Sequence, residues 1–149
     1  MSELVVHVFR LNGLLTAAGD AMAEPVAQTT ARWRVLAAIE DEPMTVAQIA
    51  RAWWLARQSV QRVADLLVDD GLAVYEDNPS HRRAKLVRIT AAGLTTLRTI
   101  RMAQKAWADR LGEDIGEEDL RAINERLPAV IAALERRSTR GSAVPPTSA

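Results

Sequence analysis

Between Arg57 and Arg62 the chain reads RQSVQR, and between His81 and Lys85 it reads HRRAK. The first stretch sets two guanidinium forks, Arg57 and Arg62, beside the amides of Gln58 and Gln61 and the hydroxyl of Ser59. These groups match the hydrogen-bonding edges of bases: arginine suits guanine O6 and N7, glutamine suits adenine, and serine suits several partners. The second stretch gathers Arg82, Arg83 and Lys85 with the imidazole of His81, a composition suited to phosphates and to the strongly negative minor groove of A·T tracts. Catalysis would need other neighbours. Ser59 has no histidine near it in the chain, and there is no Gly-x-Ser-x-Gly elbow and no glycine-rich phosphate loop. The absence of cysteine excludes a thiol nucleophile, a thiol redox sensor and a disulfide framework. His7 and His81 are the two histidines, so a metal site would have to be built on carboxylates. The acids from Glu113 to Asp119 read instead as matching of a helix dipole. No catalytic residue, metal or cofactor is expected.

Charge sharpens this reading. The 149 residues carry 19 basic and 19 acidic side chains, yet residues 51–101 hold nine basic against five acidic. A basic centre between acidic flanks is the footprint of a local polyanion contact. With 48% hydrophobic and 26% charged residues, the chain has the composition of a globular protein with one domain's worth of core. No apolar run approaches the roughly 20 residues of a bilayer span, and the first residues lack the pattern of a secretory signal, so no membrane contact is expected and the cytoplasm is the expected compartment.

The elements that must position these residues follow from periodicity. Leu4, Val8, Leu11, Leu15, Ala18 and Met22 share one helical face, predicting a first helix over 3–24 that Pro25 stops. A second helix is predicted from Val26 to Ile39. Thr45 and Gln48 form a Thr-x-x-Gln capping box that starts a short third helix at Val46, with Val46, Ile49, Ala50 and Trp53 inside. A fourth helix carries the polar head at Arg57–Arg62, buries Val60, Val63, Ala64, Leu66 and Leu67, and closes at Gly71. LAVYE and AKLVRIT read as strands whose connection, Asp77 to Ala84, projects as a wing. Thr90 caps a long fifth helix that Gly112 to Gly116 should interrupt, and a sixth follows with Pro128 expected to kink or break it near Leu127. The predicted class is mainly α with a small two- or three-stranded antiparallel wing. A single domain is expected over 1–137 and an unstructured tail over 138–149. Trp33, Trp53 and Trp107 are expected to pack in cores.

Helix, short helix, polar-headed helix and hairpin form the order of a winged helix-turn-helix, which lays the start of its second helix in the major groove. The run ARQSVQRVADLLVDDGLAVYEDNPSHRRAKLVRITAAG resembles the recognition helix and wing of the MarR family, bacterial repressors of the multiple-antibiotic-resistance type. That family's wing reads Asp-x-Arg-Ser or Arg-Arg-Ala, then a short strand, Leu-Thr and a glycine. The likeness covers Thr29 to Gly93. It implies that Ser59 and Arg62 occupy DNA-contacting positions and that Arg83 is the wing arginine of the minor groove. Thr45 joins the DNA-facing set with Arg57, Gln58, Gln61, His81, Arg82 and Lys85. Two positions depart from the pattern: His81 stands where an aspartate usually braces the wing arginine, and Trp54 stands where a glycine usually forms the turn.

The resemblance further implies a winged helix-turn-helix over 29–92 and a homodimer paired through helices over 3–24 and 91–137. Double-stranded DNA with a pseudopalindromic operator is the implied partner. A small aromatic or lipophilic effector would occupy a cleft with His7, Arg10, Asn12 and Trp33 as wall residues. The implied function is a dimeric, sequence-specific transcriptional regulator, a repressor relieved by ligand. The alternative is a winged-helix protein-interaction module whose basic wing meets an acidic partner.

Overall fold

The structure, a computed structural model, describes residues 3–81 and 83–141, with side chains described as far as 137. Arg82 and residues 142–149 lie outside the described residues, and with them one of the expected wing cations and most of the expected tail. Two compact units divide the chain, residues 1–105 and 106–149.

The first unit begins with helix α1, Glu3–Ala23. Pro25 then opens a 3₁₀ turn at Glu24–Val26, and Ala27 adopts left-handed backbone at φ 54° to end it. Helix α2, Thr30–Ala38, therefore starts later than the apolar pattern predicts, because Thr29 supplies the cap by accepting from the Arg32 N–H at 3.3 Å. The two helices are stitched at Thr30. Its N–H donates to Asp20 at 2.7 Å and its hydroxyl donates to the Thr16 carbonyl at 3.0 Å. The bond from the Thr30 N–H holds the Asp20 carboxyl below its ordinary value. Gly19 is required beneath that contact, since a Cβ there would lie 2.4 Å from the Thr30 hydroxyl.

Strand β1 is only Met44–Thr45, and helix α3 follows at Val46–Ala52. The capping box is present in full: Gln48 N–H donates to the Thr45 hydroxyl at 3.2 Å, and Thr45 N–H donates to the Gln48 side-chain oxygen at 2.8 Å. Thr45→Ala is expected to lower the unfolding free energy by about 1 kcal/mol in a urea titration, with the slope unchanged. Helix α4 spans Arg57–Asp69, and Gly71 follows at φ 72°, the left-handed position a helix end favours.

Strands β2, Ala73–Glu76, and β3, Leu86–Ile89, form an antiparallel hairpin with Tyr75 opposite Val87. Strand β1 adds to the free edge of β3, so the sheet has three strands in the order β1-β3-β2. Val35, Leu36, Ile39, Ile49, Val60, Ala64, Leu67, Val87 and Leu97 form one buried core joining α2, α3, α4, the sheet and α5. Val63 packs on its margin, but Leu66 is 47% exposed because it lies off the face that Val60, Ala64 and Leu67 share. Trp53 is likewise outside the core: α3 ends at Ala52, and Trp53 is its C-cap with 43% of its surface open. Its ring lies 6.0 Å from the Arg34 guanidinium carbon.

Helix α5 runs Ala91–Ile115 and spans both units. It passes through Gly112, and the break falls at Gly116 alone, at φ 91°. One glycine inside a run of good helix formers costs only about 1 kcal/mol, less than ending a helix that is otherwise capped and amphipathic. Helix α6, Glu117–Gly141, is also continuous, with Pro128 inside it. Proline's fixed φ is compatible with a helix; the penalty is the bond its missing N–H would have made one turn back and the crowding of its ring against that carbonyl. The helix carries on through 138–141, where an unstructured tail was expected to begin.

Candidate nucleic-acid interface

On α4 the amphipathic division is sharp. Val60, Ala64 and Leu67 point into the core, so Arg57, Gln58, Ser59, Gln61 and Arg62 are all exposed on the other faces of its first two turns. Ala56 precedes the helix with no side-chain cap, which leaves its first N–H donors open to an outside acceptor.

A groove of about 250 Å³ gathers Thr45, Arg57, Gln61, Tyr75, Arg83 and Lys85. Residues from β1, α4 and the wing, up to 40 positions apart, thus face one space. The wing tip is shaped locally. The Asn78 side chain accepts from Ser80 N–H at 2.9 Å, and backbone bonds from His81 to Asn78 and from Ala84 to His81 close successive turns.

Electrostatics separates two kinds of charge in this region. Asp70 is paired with Arg32, and Glu76 accepts from Arg88 at 2.5 Å, a bond that holds the Glu76 carboxyl below its ordinary value and raises Arg88. Arg57, Arg62, Arg83 and Lys85 have no hydrogen-bond or ion-pair partner among the described residues. Asp70 and Glu76 are therefore held by Arg32 and Arg88, while the cations at the head of α4 and on the wing are left for something outside the fold. The imidazole of His81 makes no bond to Arg83 in place of the missing aspartate; His81 contributes to the turn through its backbone.

Gln61 differs from its neighbours. Its amide donates to Asp65 at 2.9 Å and to the Tyr75 hydroxyl at 2.8 Å, while that hydroxyl donates to Asp65 at 2.6 Å. The triangle ties the recognition face of α4 to β2. Burial, then the Asp65 bond, pushes the Tyr75 phenol up to about 12. Tyr75 was missing from the sequence-derived set because its partners lie 10 and 14 residues away, beyond any local pattern. The strand alternation that points it to the α4 side of β2 is the signal that locates it.

Trp54 occupies the turn between α3 and α4 at φ 51°, left-handed backbone that a non-glycine residue adopts at a cost of about 1–2 kcal/mol. It is 64% exposed, so little burial offsets that cost. Trp54→Gly is expected to raise the unfolding free energy by about 0.5–1 kcal/mol. A thermal midpoint that falls would contradict this.

The residues expected around an effector are distributed along α1 and α2. His7 and Arg10, three apart on the unbroken α1, share a side and are exposed; Asn12, two positions on, projects from the other side. Trp33 is partly buried against the core. Among the described residues no group of three or more His, Asp or Glu is placed to hold a metal, and no helix is long and apolar enough to cross a membrane.

A short helix, a turn, an exposed polar-headed helix and a three-stranded sheet with a cationic hairpin together define a winged helix-turn-helix. The chain belongs to the MarR family: the family's model matches residues 29–84. An uncharacterized protein of Mycobacterium tuberculosis is 37% identical over 135 residues, covering 91% of this chain and 94% of that protein. Among solved structures, a mutant MarR from E. coli complexed with operator DNA has a TM-score of 0.78 at 19% identity, covering 85% of this chain and 92% of that one. CouR from Rhodococcus jostii RHA1 bound to p-coumaroyl-CoA has a TM-score of 0.75 at 20% identity, covering 87% and 92%. The family is one of transcriptional regulators rather than enzymes, and this chain is such a regulator.

Proposed function

We propose that this regulator is a homodimer that reads a pseudopalindromic DNA operator and represses until a small molecule weakens its grip. One observation carries the proposal. The unpaired Arg57 of the α4 head and Arg83 and Lys85 of the wing converge with Thr45 on one groove, while nearby Asp70 and Glu76 are already paired. The first turns of α4, with Arg57, Gln58, Ser59 and Arg62, enter the major groove, and Arg83, with Arg82, Lys85 and His81 beside it, serves the phosphate backbone and minor groove. Gln61, with Asp65 on the same helix, acts mainly by bracing α4 against Tyr75 of β2.

Dimerisation rests on exposed apolar rows in each unit. Leu4, Val8, Leu11 and Leu15 repeat at four- and three-residue steps along α1 and stay exposed, and so do Ile123, Leu127, Ile131 and Leu134 on α6. Rows of this length on a monomer need a cover, and a second copy supplies it with two-fold symmetry. The effector is an aromatic or lipophilic small molecule, with His7, Arg10, Asn12 and Trp33 as its proposed contacts. A preference of ~1–3 kcal/mol for one dimer geometry changes DNA occupancy by about 5- to 150-fold. The p-coumaroyl-CoA complex of CouR is consistent with an effector of that kind.

The test is selection from a random duplex library by the purified protein at near-physiological salt, beside Arg83→Ala. The proposal expects enrichment of a two-fold symmetric site, weakened in the variant. Loose, salt-sensitive binding without enrichment would instead favour a protein-interaction module with a basic wing.

A further inference from the structure

The turn between α3 and α4 holds two tryptophans that the fold uses differently. Trp53 lies under the Arg34 guanidinium. Trp54 is 64% exposed in left-handed backbone, and its indole has no hydrogen-bond or ring partner among the described residues. A bulky apolar side chain held in disfavoured backbone and left in water is a local cost without a local return, the pattern that accompanies a binding role.

Trp54 lines a shallow, mainly apolar cleft with Ala47, Ala50, Arg51, Leu55 and Arg57. The charged members of that lining are both arginines, and no acid is among them. Ala47 and Arg57 also line the groove of the candidate interface, so the cleft extends that groove past the α3–α4 turn. An indole offers one N–H donor and no acceptor, together with a flat apolar face. Between two arginines, the complementary surface is a polyanion with apolar sugar rings between its charges.

We propose that Trp54 is a DNA-backbone contact: its N–H donates to a phosphate oxygen, and its ring covers the adjoining deoxyribose, at the edge of the major groove that α4 enters. The proposal rests on the reading that this chain binds duplex DNA. A backbone contact carries no sequence information, so its loss weakens the selected operator and a random duplex alike. Because the indole is uncharged, its loss leaves the salt slope unchanged, whereas Arg57→Ala lowers that slope by about one.

The experiment is fluorescence anisotropy with a labelled selected duplex and a labelled random duplex of equal length, over a salt series. It compares the full chain with Trp54→Gly, Trp54→Phe and Arg57→Ala, each checked for native circular dichroism. The expected result is roughly tenfold weaker binding by Trp54→Gly on both duplexes at unchanged salt slope, with Trp54→Phe intermediate. Wild-type affinity in Trp54→Gly and Trp54→Phe overturns the contact while leaving DNA binding intact. Wild-type protein that binds neither duplex overturns the DNA reading and this contact with it.

Discussion

Gly93→Ala is expected to lower the unfolding free energy by about 2–4 kcal/mol, although it adds only a methyl group to a helix. The reason lies at the junction where β3 hands over to α5. Thr90 N–H donates to the Leu72 carbonyl at 3.1 Å, the Thr90 hydroxyl donates to the Gly71 carbonyl at 2.8 Å, and Gly93 N–H donates to that same hydroxyl at 3.1 Å. A Cβ on Gly93 would lie 2.1 Å from the Leu72 carbonyl oxygen and 2.8 Å from Ile89 Cγ1. The obstacle is backbone on one side and a strand on the other, so α5 must move away and take the three bonds with it. Gly112→Ala is the control. Its Cβ meets only Leu120 Cδ1 at 3.5 Å, so the usual helix preference for alanine, about 1 kcal/mol, should appear as a gain. Urea titrations of both variants give the comparison, and a Gly93→Ala protein as stable as wild type would show that the junction adapts at little cost.

Arg62→Ala is expected to weaken a selected operator about 5- to 150-fold, corresponding to ~1–3 kcal/mol, and to relax base preference at one step of each half-site. Arg62 is exposed on the second turn of α4 and has no partner among the described residues, so its removal leaves no orphaned group in the fold. Stability should be unchanged within ~0.5 kcal/mol. Arg62→Lys should recover little of the discrimination, because an ammonium cannot present the two-pronged donor that guanine matches. Selection repeated with the variant checks this directly. An unaltered consensus at unaltered affinity would remove Arg62 from the reading set.

What was legible in the sequence was what local chemistry fixes. The Thr45–Gln48 box, the α4 polar head, the left-handed Gly71 and the α5 start at Thr90 each depend on neighbours within four residues, and each is present. Less legible were features decided by distant partners or by competition among weak local preferences. A two-residue β1 has no period to detect and exists because β3 offers it an edge. Gly112 and Pro128 look like breakers, yet the helix formers around them prevail. The later start of α2 reflects the Thr29 cap and the left-handed Ala27, which outweigh an apolar pattern that already began at Val26. In the candidate site, the charged members could be named from their types and spacing. The Gln61–Asp65–Tyr75 triangle could not, because it joins a helix to a strand.

Thr45 belongs to two elements at once, as the last residue of β1, in register with Leu86 of β3, and as the cap of α3. The two elements cannot open independently at that point. Fraying of the hairpin base frees the α3 start, and loss of the cap loosens the strand edge. In hydrogen–deuterium exchange, the amides of Thr45 and Gln48 should therefore share one protection factor with the β3 amides, and a duplex that clamps the wing should slow exchange in α3, which need not touch it.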